Sequence, residues 1–455
     1  MSSAQSAVSR NLHHIRLLAA PAGNRQATIL SRMETKPKKN PARPALPELL
    51  APAGNLEKLK VAAHYGAGAV YLGGKNFSLR QKAGNFSLEE MEEARDFLRP
   101  RGVKLYVTVN IFAHNDDFLE LDDYLHRLDS LGIDAVIVAD PGIFACVRRL
   151  LPRMPIHLST QANVTNLYAA GFWYGLGIGR INLARELSIA EIRAIRAGVA
   201  AELEIFVHGA LCISYSGRCM LSNYMTGRDA NHGQCAHPCR YRYALVEEKR
   251  PGQYFPVEED ERGTYIFNAK DLCLLPRLPL LAAAGIDALK IEGRMKSVYY
   301  AGGTTRVYRA ALDYLAALPI EAWIEPENIV MPEEFMAEIW RIGTRGVGEN
   351  FFAGLPGPEE MLYETARARQ EYEPVAVVRQ AGSAPLVEAK NRLTVGDEIE
   401  YLPPGLAVIP ARVTALLNED GDSLPALNPG QTVRLRTQPP LSAAMKYGLI
   451  RRRLA

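Results

Sequence analysis

Cysteine is scarce in this chain, with six residues among 455. That excludes a small secreted scaffold stapled by disulfides. No apolar run approaches the roughly 18 to 20 residues of a membrane span, so no spanning helix is expected. Neither H-E-x-x-H nor G-x-S-x-G occurs, which removes the zinc-peptidase and nucleophile-elbow signatures. No charge sign is in excess: 53 Lys and Arg face 50 Asp and Glu, for a net charge of +3. Contact with nucleic acid must therefore rely on local basic patches. What is present is ordinary globular material, 48% hydrophobic and 23% charged. The length allows two or three domains.

Residues 1–46 stand apart. They carry eight Lys or Arg and a single acid, Glu34, and end in the stretch "KPKKNPARP". They lack the apolar segment of a secretory signal. A disordered basic extension is expected; an organelle transit peptide and a start at Met33 are the alternatives.

From Pro47 short apolar runs alternate with helical patterns. The runs are "ELLAPAG" at 48, "AVYLGG" at 69, "KLYVTVN" at 104, "AVIVAD" at 135, "IHLST" at 156, "RINLAR" at 180, "LEIFVHG" at 203 and "ALKIEG" at 288. They are apolar throughout rather than alternating, as in a parallel sheet covered on both faces. Helix starts lie between them: Asn55 as an N-cap with Gly66 as the stop, Ser87 before an acidic first turn, and Ser188 with Glu191 as a capping box. Eight such units predict a (β/α)8 TIM-like barrel over 47–315. An open doubly wound sheet is the runner-up, but no Gly-rich dinucleotide loop follows the first strand.

Barrel enzymes place their chemistry where strands end. Those positions hold Asn110, Asp140, Ser159, Gln161, Arg185, His208, Glu292 and Arg294. About 80 residues separate strands seven and eight, a length that marks a functional loop or subdomain. A helical linker is expected over 316–370. Short strands with Gly, Pro and Asp turns over 371–440 predict a small closed β-barrel of five strands. The basic end "KYGLIRRRL" reads as a tail over 441–455.

The long connection holds five of the six cysteines, spaced Cys212-x6-Cys219-x15-Cys235-x3-Cys239, with Cys273 further on. Structural zinc favours two tight pairs, and only Cys235 and Cys239 form one. The wide gaps suit a larger inorganic core such as a [4Fe–4S] cluster. Neighbouring Arg218, Arg228, His237, Arg240 and Arg242 would favour thiolate. Cys146, in "GIFACVRRLL", reads as a core cysteine. Clustered thiols in a chain of this size predict a reducing, cytoplasmic location.

Several long motifs then occur in order. "FVHGALCISYSGRCMLS", "LLAPAGNLEKLKVAAHYGAGAVYLGGKNFSLRQKAGNFSLEEM", "RDANHGQCAHPCRYRY", "NAKDLCLL" and "ALKIEGRMKS" resemble the signatures of the collagenase-like peptidases, family thirty-two of unknown-mechanism peptidases. "NRLTVGDEIEYLPPG" is similar to the terminal barrel of that family's tRNA-hydroxylating branch. The resemblance implies oxygen-independent hydroxylation of a tRNA wobble uridine to 5-hydroxyuridine, a [4Fe–4S] cluster and prephenate as hydroxyl donor. Relatives in other branches hydroxylate rRNA or ubiquinone precursors. Position by position, the implied ligands are Cys212, Cys219, Cys235 and Cys273, with Cys239 in reserve. One stretch departs: Gly343–Phe352 keeps only Arg345 and the aromatics of the family pattern.

Given a dicarboxylate donor, Arg80, Arg185 and Arg294 are the expected forks, with Gln161 beside them. His208, Asn110 and Glu292 are the candidate catalytic groups, His208 as acid or base. The basic tail and terminal barrel would grip RNA phosphates. A peptidase, and a non-catalytic RNA-binding factor whose metal only staples the loop, are the competing readings.

Overall fold

The computed structural model describes residues 43–78, 84–210, 222, 226, 228, 235–236, 244–246, 254–256, 268–343, 346–354, 361–362 and 371–454. Arg80, Cys212, Cys219, Cys239, Arg345 and the extension up to residue 42 lie outside the described residues.

All eight expected barrel strands form: Glu48–Pro52, Ala69–Gly73, Lys104–Val109, Ala135–Val138, Ile156–Leu158, Arg180–Asn182, Glu202–Gly209 and Ala288–Ile291. Each pairs in parallel with the next, and the eighth closes on the first and on the seventh. Outward residues such as Leu49, Val70, Leu105, Val136, Leu158 and Leu203 form one core with the surrounding helices. On helix Phe118–Leu131 that core takes Leu121, Leu125 and Leu128, a stripe at helical spacing. Each such burial is worth about 1.5–3 kcal/mol.

Helix starts follow the expected chemistry. Asn55 accepts from the Lys58 amide, and Ser87 with Glu90 and Ser188 with Glu191 form reciprocal capping boxes.

The segment after the barrel packs rather than links. Helix Glu333–Ile342 buries Phe335, Ile339 and Ile342 against the barrel's outer shell. Val347–Gly348 joins the sheet edge beside Asp271–Cys273.

The C-terminal domain is a closed antiparallel barrel of six strands, one more than expected. Around the ring they run Glu398–Leu402, Leu449–Arg453, Tyr372–Gln380, Leu386–Ala389, Thr432–Gln438 and Ile409–Leu417, which pairs back with Glu398–Leu402. The sixth strand, Leu449–Arg453, is the segment expected to be a free basic tail. Two of its three arginines are occupied. Arg451 pairs with Glu338 and Glu400, and Arg452 with Glu373 and Asp397. The tail is thus a structural strand, with those two arginines committed to carboxylates instead of phosphates.

The two domains are fastened through buried polar contacts. The Tyr65 hydroxyl donates to Leu402 O at 2.6 Å and accepts from the Leu449 amide at 2.8 Å. Arg306 donates to Pro403 O and Ala407 O, and to the Glu338 carboxylate at 3.0 Å. Arg379 and Lys390 both pair with Glu57 at the start of the first helix.

Two histidines away from the barrel mouth are held neutral. Burial pushes His64 down to about 4. Burial, then the charges of Arg180, Lys290 and Lys104, holds His157 well below the ordinary value. Unfolded, both take up a proton near pH 6.5. The unfolded state therefore binds more protons below that pH, and stability falls as pH drops from about 6.5 towards 4. The slope reaches about 1.4 kcal/mol per pH unit for each histidine. Melting temperature followed from pH 7 to 4 should decline, and His64→Gln should flatten the decline. Equal slopes for both proteins would refute the assignment.

Candidate functional site

Register and alternation define the barrel interior. Tyr71 stands beside Tyr106, Thr108 beside Ile137, His157 beside Arg180, and Phe206 beside Lys290. At the lower end charged groups cross the interior. Arg180 pairs with Glu48 at 2.7 Å and approaches Glu204 at 3.6 Å, and Lys290 pairs with Glu204 at 2.7 Å. Burial opposes ionisation of Glu48, but Arg180 and Lys104 hold its carboxyl below the usual range. This ionic plug closes the end opposite the strand C-termini.

Towards the mouth the inward positions become small. Thr108 and Ser159 come first, then Gly73, Ala139 and Ala184. Barrels are ordinarily filled by bulky residues there, so these small side chains narrow the filling towards the mouth into a funnel-shaped arrangement that Arg294 enters. The Arg294 guanidinium reaches into it over Gly73, where an added Cβ would lie 2.5 Å from Nη2. Gly73 is therefore required for close approach. Arg294 Nη1 donates to Ser78 Oγ at 3.0 Å and Thr108 Oγ1 at 3.1 Å, and Nη2 donates to Asn85 Oδ1 at 2.6 Å. These three partners are neutral.

The other strand ends converge on the same rim. Asn110 Nδ2 donates to Gln161 Oε1 at 2.6 Å, and Ser159 Oγ donates to the same oxygen at 3.0 Å. Arg185 stacks 3.8 Å over the Phe206 ring and donates to Ala210 O, with Glu292 at 3.7 Å. His208 is the penultimate residue of the seventh strand, and its carbonyl accepts from the Glu292 amide at 2.8 Å. Burial pushes His208 down to about 4, so its ring is neutral near pH 7.

Strand Asp271–Cys273 adds antiparallel to the seventh strand and sets Cys273 opposite His208. The Tyr308 hydroxyl joins them. It donates to Val207 O at 2.8 Å and lies 3.4 Å from His208 Nδ1 and 3.7 Å from Cys273 Sγ. Burial pushes the Cys273 thiol up to about 11. Cys235 is half-buried, and Cys273 is a buried thiol outside any disulfide.

The structure thus gathers Asn110, Gln161, Arg185, His208, Glu292, Arg294 and Cys273 at one end of the barrel. Arg80 and three of the cysteines cannot be placed beside them, because they lie outside the described residues. Sequence reasoning missed Ser78, Asn85 and Thr108, which hold Arg294, and Tyr308, which links His208 to Cys273. Only Thr108 carried a signal, as an inward residue near a strand end.

Two family descriptions match the chain: peptidase family U32 over residues 54–362, and the peptidase family U32 C-terminal domain over 370–452. The chain is 40% identical to tRNA hydroxylation protein P1 of Bacillus subtilis over 86% of its own length and 92% of the relative. It is 35% identical to tRNA hydroxylation protein P of Escherichia coli, covering 89% and 96%. Similarity to the Escherichia coli 23S rRNA 5-hydroxycytidine C2501 synthase, at 37% identity, covers 58% of this chain and 39% of that protein. With both domains matched, in order and over most of the chain, this protein belongs to peptidase family U32.

Proposed function

We propose that this protein is an RNA-modifying hydroxylase acting on tRNA, converting a wobble uridine to 5-hydroxyuridine without molecular oxygen. Two relatives matched over most of their length are named tRNA hydroxylation proteins, and a third is named for hydroxylating a cytidine of 23S rRNA. That agreement carries the reading. The funnel above the ionic plug supplies the matching chemistry.

Cys212, Cys219, Cys235 and Cys273 would hold a [4Fe–4S] cluster. The donor chemistry fits in the two that are described, Cys235 and Cys273, with Cys273 beside the rim. Such a cluster, when bound, supplies redox-active, Lewis-acidic iron. Arg185 and Arg294, with Arg80, would hold the carboxylates of a dicarboxylate donor, for which prephenate is proposed. Asn110 and Gln161 orient polar groups of the bound molecules. Neutral His208 can take a proton at its unprotonated ring nitrogen. Phe206 and the buried rim keep water from the reacting groups.

The family's peptidase name finds no support at Cys273. Its thiol is 3% exposed, closed off from a peptide substrate.

Mass spectrometry of tRNA from a strain lacking the gene should show 5-hydroxyuridine lost and restored by complementation. An unchanged nucleoside profile would remove the hydroxylase reading.

A further inference from the structure

Asn182 ends the sixth barrel strand and is only 2% exposed. Neither its carboxamide nitrogen nor its carboxamide oxygen meets a hydrogen-bond partner. Buried amides are ordinarily satisfied, because leaving donor and acceptor unmet forfeits their hydration. The side chain faces into the barrel. Arg180, two residues earlier on the same face, reaches Glu48 and Glu204 inside, whereas Ile181 between them packs in the outer core. Asn182 therefore lies on the floor of the funnel, beneath the small residues Ser159 and Ala184. Higher on the rim, the Gln161 nitrogen is also without a partner, while its oxygen serves Asn110 and Ser159.

The two unmet atoms of Asn182 define what fits. One donates and one accepts, side by side. An ionised carboxylate offers only acceptors and would leave the Asn182 oxygen unmet. A pyrimidine base offers a donor next to an acceptor on its pairing edge: N3–H and O4 in uracil, N4–H and N3 in cytosine. Carboxamides read base edges in this bidentate way. Enzymes that modify a base take it out of the stack and read the same edge in a pocket.

From this we infer that Asn182 is the base-reading residue, its carboxamide taking the pairing edge of a pyrimidine extruded from RNA into the barrel mouth. This rests on the RNA-hydroxylase reading and names how its substrate is held. Uracil bound so has N1 and its ribose on the mouth side, and its C5 on the flank of the ring between the floor and the mouth. Arg185 and Arg294 remain above, where the small-molecule donor is proposed to bind.

The experiment compares two anticodon stem-loops, one with uridine and one with N3-methyluridine at the target position. Each is tested on the cluster-loaded wild type and on Asn182→Leu and Asn182→Ala. The methyl group removes N3–H and fills the site of the hydrogen bond. Wild type should bind and turn over the methylated loop roughly 10- to 100-fold less well. Both variants should lose a similar factor on the uridine loop and no longer distinguish the two. Iron content and affinity for prephenate should not change. Melting temperature should hold or rise in Asn182→Leu, since an unmet amide is replaced by an apolar group. A variant with wild-type affinity and turnover would show that the amide holds trapped water only and would overturn the inference. Weakened prephenate binding with intact RNA discrimination would overturn it too, assigning Asn182 to the donor. Turnover that fails in the wild type strikes the hydroxylase reading alone, because the affinity ratio still tests Asn182.

Discussion

On the proposed cluster assignment, Cys273→Ala is expected to abolish iron binding and reduce the proposed tRNA hydroxylation at least about 100-fold, while leaving the fold in place. Changes to groups that merely support a metal ligand already cost about 10- to 100-fold, so loss of a ligand sets that as a floor. The thiol is 3% exposed, within hydrogen-bonding reach of Tyr308. Alanine keeps the small volume and the strand pairing with His208, so stability should change by only about 1 kcal/mol. Anaerobic iron and sulfide counts, with the absorption spectrum of thiolate-ligated iron, provide the check. Cys235→Ala should behave the same way, whereas Cys146→Ala, on the outer helix Pro141–Leu150, should keep full iron. Full iron in Cys273→Ala would move the fourth ligand to Cys239.

Glu338→Ala should be the most destabilising single change away from the mouth. The carboxylate is buried and accepts from Arg306 and from both terminal nitrogens of Arg451, each at 3.0 Å. Arg341 pairs with it from the same helix. Burial disfavours its charge, but Arg451, Arg341 and Arg306 hold the carboxyl below the usual range. Removing it leaves Arg306 and Arg451, both about 1% exposed, without the acid between them. Breaking a buried pair from one side costs roughly 3–5 kcal/mol. A melting midpoint lowered by roughly 5–15 °C is the expected reading. Glu338→Gln, which keeps hydrogen bonds but loses charge, should fall between. A midpoint within a degree or two of wild type would show that the domains do not depend on this contact.

The fold was largely legible because its signals are local. Parallel strands buried on both faces write themselves as apolar runs, and capping boxes need only residues three apart. The last strand was not legible. "LIRRR" resembles a solvated tail until Glu338, Glu373, Asp397 and Glu400 are brought to it from elsewhere in the chain. The mouth was half legible. Strand-end position flagged Asn110, Gln161, Arg185, His208, Glu292 and Arg294. Asn182 was passed over because the run "RINLAR" reads as ending at Arg185, three residues beyond the strand's actual end, and its unmet amide exists only once the barrel has closed around it. Tyr308 reads as one more core aromatic in a helix until its hydroxyl is seen between His208 and Cys273.

The Tyr65 hydroxyl spans two strands of the second domain, giving to Leu402 and receiving from Leu449. A graft that exchanges either domain for that of a distant cousin would keep the phenol only if the incoming backbone met it at both points. The two domains should therefore be inherited as a matched set, and hybrids spliced between them should express poorly unless position 65 travels with its barrel.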